Sequence, residues 1–267
     1  EMLRSLVGSE MCIRDRMNIF NNTSKQKSVA DNLKQLLTVK NETLTSADLF
    51  FYGDIVSDWW GVWTDSDQYP EAIRDFLKEQ EGKNLNIYIN SGGGSVFAGI
   101  AIYNMLQRHK GFKTVYVDGM AASIASVIAL AGDRVIVPSN AFLMIHKPWA
   151  ACTGNADDCR KMAADLDTIE TGIINVYKEH LAEGVDIADI EKMVAEETWL
   201  NGEEAAKYFN IEVGAAKEYA AKLDYSTSAY AKIPKEIIKS AQAADNTAEK
   251  TVEKIKRVVI DGLSKGA

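Results

Sequence analysis

The chain has 267 residues, 46% of them hydrophobic and 25% charged, with a formal net charge of −8. That balance describes a globular protein able to bury a core. It excludes the basic footprint of a nucleic-acid binder, and no apolar run approaches the roughly 18–20 residues that span a bilayer.

The first sixteen residues, EMLRSLVGSEMCIRDR, stand apart. Leu6–Arg16 reads back codon by codon as a sequencing-library adapter, so residues 1–16 are set aside as a translated artefact and the natural start is expected at Met17. Residues 17–48 form a polar N-terminal segment with a weakly amphipathic stretch at Val29–Val39. Aromatic and β-branched residues in LFFYGDI (Leu49–Ile55) mark a buried strand. A helix over Glu71–Glu79 and a strand over Leu85–Asn90 come next, broken by Ser91–Ser95 (SGGGS). Val96–His109 reads as a helix, Thr114–Val117 as a strand and the small-residue run Gly119–Ala129 as a further helix. Arg134–Pro138 and Ala141–His146 are short strands. In the long helix expected over Ala156–Leu181, Met162, Leu166, Ile169, Ile173 and Val176 share one face, and Asn155 is placed to cap it. Asn201 and Glu204 form an N-x-x-E capping pattern. Strand–helix alternation over residues 49–214 predicts one α/β domain of βαβ units. Residues 215–267, rich in Ala, Lys and Glu, read as a helical or partly disordered tail. Outside the excluded segment the cysteines are Cys152 and Cys159, without metal-ligand spacing, which fits a reduced, intracellular protein.

A serine becomes a nucleophile only with a base in hydrogen-bond reach and donors for the oxyanion. There are three histidines. His109 and His180 end helices among charged residues, where a solvated imidazole suits the helix dipole. His146 ends an apolar strand beside a loop, where α/β proteins place functional groups, although a lone histidine there is more often structural. Ser123 lies near the start of the Gly119–Ala129 helix, where free amides favour negative charge. Ser126 lies further in and can satisfy itself against a helix carbonyl. The Gly92–Gly94 loop lies between a strand and a helix, with neither the lysine of a P-loop nor GxGxxG spacing. The neighbours of Ser123 are not GxSxG, so no α/β-hydrolase elbow is indicated.

Six stretches taken together resemble the ClpP family of self-compartmentalising serine peptidases, and among them the ClpP-like head-maturation (prohead) proteases of tailed bacteriophages. They are YGDIVSDWWG (52–61), INSGGGSVFAGIAIYNML (89–106), VYVDGMAASIASVIALAGD (115–133), MIHKPW (144–149), GNADDCRKMA (154–163) and EETWLNGEEA (196–205). The resemblance runs in order over about 49–214. It implies a ClpP/crotonase-type fold of repeated βαβ units with a protruding helical handle, matched by Ala156–Leu181. It implies Ser123 as nucleophile, His146 as general base and the backbone N–H groups of Gly94 and Ile124 as oxyanion donors. The orienting acid falls on Glu197, with Glu196 adjacent and left open. Gly92 stands where the family often has proline.

The implied activity is ATP-independent serine endopeptidase action on scaffold or capsid protein during phage assembly, without metal or cofactor. The implied partners are copies of the chain in a ring and a protein substrate, with neither nucleic acid nor membrane. The implied setting is the cytoplasm of the bacterial host, including the prohead interior. Alternatives are a Clp-type peptidase fed by an AAA+ unfoldase, a crotonase-fold acyl-CoA enzyme and an inactive paralogue.

Overall fold

The computed structural model describes residues 43, 45–62, 64, 66–215, 230 and 232–234. The excluded segment 1–16, the amphipathic stretch Val29–Val39 and most of the tail lie outside the described residues. The elements in order are β1 (Ser46–Phe51), α1 (Pro70–Glu79), β2 (Asn84–Ser91), α2 (Val96–Arg108), β3 (Lys113–Ala122), α3 (Ile124–Ala129), β4 (Arg134–Pro138) and β5 (Phe142–Ile145). Then come α4 (Ala156–Glu179), α5 (Ile187–Ala195), β6 (Thr198–Asn201), α6 (Gly202–Ala205) and β7 (Glu212–Gly214), with a short 3-10 turn at Trp59–Gly61.

Strands β1, β2, β3, β4 and β7 lie side by side and run parallel. Parallel neighbours need crossovers, and α1, α2 and α3 supply them. Along β2, Leu85, Ile87 and Ile89 are buried while Asn86 and Tyr88 are half exposed, the alternation a sheet with one covered face requires. Each such residue stabilises the fold by about 1.5–3 kcal/mol. On the opposite face Phe50, Tyr88 and Tyr116 are direct register partners. Their rings stack with centroids 4.8 and 5.2 Å apart.

β3 is longer than the sequence reading of Thr114–Val117. Its first half pairs with β4, and Met120, Ala121 and Ala122 pair with Phe142, Leu143 and Met144 of β5. Gly119–Ala122 is therefore strand, and the helix expected over Gly119–Ala129 begins only at Ile124. The small residues serve a strand wedged between two others, since Ala121 also faces Ser91 of β2. The β2–β3 register shifts between Ile89 and Ser91, a bulge-type irregularity of the kind that bends a strand and re-aims its end. β5 turns antiparallel to β6, so the end of β3 faces a second small layer.

β1 begins earlier than the expected Leu49, with Ala47 and Asp48 already buried, and ends at Phe51. α4 starts at a capping box in which Asn155 accepts from the amides of Asp157 and Asp158. Its N-terminal half is largely exposed, while Ile173 and Tyr177 are buried further along. At 24 residues the helix is about 36 Å long, and it occupies the position expected for the handle. The Asn201–Glu204 capping box also forms.

Candidate active site

The C-terminal ends of parallel strands are where α/β sheets collect functional groups. Three segments meet there: the loop after β2, the residue after β3 and the residue after β5. Ser123 comes directly after β3, with φ 55° and ψ −128°. Such a backbone costs a non-glycine residue about 1–3 kcal/mol and persists only when its surroundings impose it. Here the Ser123 N–H donates to the Met144 carbonyl at 2.9 Å, and the Ser123 carbonyl accepts from the Ser126 amide at 3.0 Å and the Ser126 hydroxyl at 2.6 Å. The side chain is thereby aimed at His146, whose Nε2 lies 2.7 Å from Ser123 Oγ. For the serine to donate, the imidazole must carry its hydrogen on Nδ1.

His146 is half-buried, and burial pushes its pKa below the ordinary imidazole value, opposed by the negative charge of Glu197. The β5–β6 register explains that pairing. Ile145 faces Thr198, so the next residue out on each strand, His146 and Glu197, are neighbours. Glu197 also has a positive φ of 52°. Glu196 caps the end of α5 and is exposed to solvent. The register thus sets Glu197, and not Glu196, beside the imidazole.

The loop Ser91–Ser95 lies against Ser123. Ser91 Oγ donates to the Gly53 carbonyl at 2.6 Å and accepts the Gly93 N–H at 3.1 Å. Gly93 has φ +95°, and a Cβ there would come within 2.9 Å of Ser123 Cβ. Gly94 has φ +139°, and a Cβ there would come within 2.2 Å of the Ile55 carbonyl oxygen. Ile55 bonds the residues on either side of Gly94, donating to Gly93 O at 2.8 Å and accepting from Ser95 N at 2.7 Å. The Gly94 N–H thus lies outside that ladder, and no partner takes it among the described residues. Ile124 is the first residue of α3, where the amide has no carbonyl four residues back within the helix. Gly94→Ala keeps the N–H but sets a Cβ against the Ile55 carbonyl, so the loop and its amide must move; with that amide as the expected oxyanion donor, turnover should fall by about 10²–10³. Steady-state kinetics on a short peptide substrate checks this, with circular dichroism to confirm the fold.

Beneath the site Ser126 bonds a nearby carbonyl as its sequence position suggested, while its partner Tyr177 has no sequence signal. The Ser126 hydroxyl is used on the Ser123 carbonyl, so the Tyr177 phenol donates to Ser126 Oγ, at 2.7 Å. Tyr177 is buried, which raises its pKa and keeps the phenol protonated. Ser126 thus ties α4 to the strained backbone of Ser123. Ser126→Ala, which leaves the Tyr177 hydroxyl unsatisfied, is expected to cost about 1–3 kcal/mol. Adding Tyr177→Phe should recover part of that loss in a denaturation-based double-mutant cycle.

The other two histidines are structural ties, not the solvated ends expected from sequence. His109 Nε2 lies 2.8 Å from the Lys83 carbonyl, and His180 Nε2 lies 2.9 Å from the Tyr103 hydroxyl. Among the described residues no group of three or more His, Cys, Asp or Glu is placed to hold a metal, and no helix is long and apolar enough to cross a membrane.

The described part of the tail reaches the site. Tyr230 packs with Phe142 and Trp199 against the small cluster Met120, Ala122 and Met144. Its ring meets that of His146 edge to face, with centroids 5.2 Å apart. Its hydroxyl donates to the Gly92 carbonyl, and burial pushes its pKa up to about 12.

A mostly parallel α/β sheet thus brings together a hydrogen-bonded serine–histidine pair, with Glu197 beside the histidine and the Gly92–Gly94 loop beside the serine. The Clp protease family model matches residues 71–212, and the chain belongs to the Clp protease family. Similar proteins are named ATP-dependent Clp protease proteolytic subunit. That of Bacteroides fragilis is 33% identical over 136 residues, covering 49% of this chain and 63% of the relative. That of Bacteroides thetaiotaomicron is 32% identical over 137 residues, covering 49% and 60%. That of Porphyromonas gingivalis is 33% identical over 134 residues, covering 49% and 59%. The chain thus spans about three-fifths of the length of these curated relatives.

Proposed function

We propose that the chain is a serine endopeptidase. The observation that carries this reading is the 2.7 Å contact between Ser123 Oγ and His146 Nε2 at a serine held in a strained backbone. In the proposed cycle Ser123 attacks a peptide carbonyl while His146 takes its proton. The amides of Gly94 and Ile124 hold the oxyanion, and Glu197 keeps the imidazole in the right tautomer and stabilises its charged form. His146 then protonates the leaving amine, and water, activated by the same histidine, hydrolyses the acyl-enzyme. Every step uses side chains or amides of this chain, so the cycle calls for no cofactor.

For its biological role we propose cleavage of scaffold or capsid protein in phage head maturation, without ATP, by a ring of copies joined through the α4 handle. The ordered motifs of residues 52–205 support this reading. Co-expression with a candidate capsid or scaffold protein tests it: processing should occur with the intact chain and stop with Ser123→Ala. Processing that survives the substitution contradicts the reading. The names of the bacterial relatives favour a second one, a peptidase fed by an AAA+ unfoldase. Stoichiometric capture of such an ATPase by the chain would select it.

A further inference from the structure

The described part of the C-terminal tail lies against the site. The Tyr230 hydroxyl donates to the carbonyl of Gly92, in the loop that carries the Gly94 amide and packs against Ser123. The ring stands edge-on to His146 and is backed by Trp199 at a centroid distance of 5.9 Å. Two residues on, the Lys232 amide donates to Glu197 Oε1 at 2.7 Å, and the Lys232 ammonium donates to the Glu196 carbonyl. The loop beside Ser123, the imidazole and the carboxylate beside it are thus each contacted by one short segment. The phenol ring stands beside the imidazole that Ser123 bonds.

We propose that Tyr230 together with Lys232–Pro234 is an autoinhibitory strap, a peptide-like ligand built into the chain that closes its own serine–histidine site. This rests on the peptidase reading above. The anchor is an aromatic side chain in the pocket formed by Met120, Ala122, Met144 and Trp199, followed by a backbone amide on a carboxylate. Being tethered, the segment competes at a high effective concentration without large intrinsic affinity. Substrate enters only in molecules whose strap is out, so apparent activity scales with that fraction. Tyr230 and Lys232 lie outside the sheet, its helices and the main core, so replacing them uncovers the small Met120–Ala122–Met144 cluster but leaves the main core intact.

The test is the rate at which a fluorophosphonate probe labels Ser123 in the full-length chain. Tyr230→Ala should label about tenfold faster than the unsubstituted chain or more, the factor being set by the fraction of open molecules. Lys232→Pro, which removes the amide hydrogen to Glu197, should also label faster. A synthetic peptide with the sequence of residues 228–234, SAYAKIP, should slow labelling of the Tyr230→Ala chain again, and the same peptide with alanine for tyrosine should not. Labelling of Ser123 at one common rate in all three chains overturns the strap and leaves the peptidase reading standing. Failure of Ser123 to label in any chain overturns the peptidase reading and the strap with it.

Discussion

Replacing Ser123 with alanine is expected to lower peptide hydrolysis about a million-fold, the scale seen when a nucleophile that works as a unit with its base is removed. Because the two act together, His146→Ala should cost about as much, and the double substitution little more. The strained backbone adds a second expectation. Glycine adopts the dihedrals of Ser123, φ 55° and ψ −128°, without penalty. Ser123→Gly should therefore be as inactive as Ser123→Ala yet more stable than it by about 1–3 kcal/mol, the strain released. Thermal denaturation of the two variants side by side checks this. Equal melting temperatures would mean that Ser123 stores no strain.

Glu197→Gln is expected to cost about 10³–10⁴ in turnover, since the amide can neither hold the imidazole tautomer nor stabilise imidazolium. The pH profile separates this from a loss of packing. His146 accepts a proton only when neutral, so activity is present above its pKa and is lost as the pH falls through it. Burial already holds that pKa below the ordinary imidazole value, so the acid limb of kcat/KM should lie below about 6.5. The Glu197 charge raises the pKa of His146, so Glu197→Gln should move the acid limb to still lower pH while the plateau falls. Glu196→Gln should leave both limb and plateau in place, because Glu196 is solvent-exposed at the end of α5. If Glu196→Gln produced the larger effect, the two assignments would have to be exchanged.

Most of the sheet was legible in the chain because its signals are local. The alternation in LNIYIN, the glycines of SGGGS and the spacing of Met162, Ile169 and Ile173 each report their own few residues. The pairing of Ser123 with His146 was reached through a resemblance spread over several segments, since no spacing within the chain brings residues 23 apart to 2.7 Å. The extent of β3 was hidden. GMAA (Gly119–Ala122) has the composition of a buried helix, and only pairing with β5 on one side and Ser91 on the other makes it strand. The short helix Ile187–Ala195 and strand Thr198–Asn201 have too few residues to show a period, although their register is what sets Glu197 beside the base. Ser126 and Tyr177 are 51 residues apart and meet only through the packing of α4 beneath α3. Tyr230 sits in an Ala- and Lys-rich stretch without an apolar pattern, so nothing local marks it as a ligand of the site.

Everything proposed for the site depends on Ser123 being a nucleophile activated by His146. Peptide mapping of the full-length chain after fluorophosphonate treatment tests this most directly. One phosphonyl adduct is expected, on the peptide containing Ser123, absent from Ser123→Ala and strongly reduced in His146→Ala. An adduct on another residue, or one that forms equally fast without His146, would contradict it.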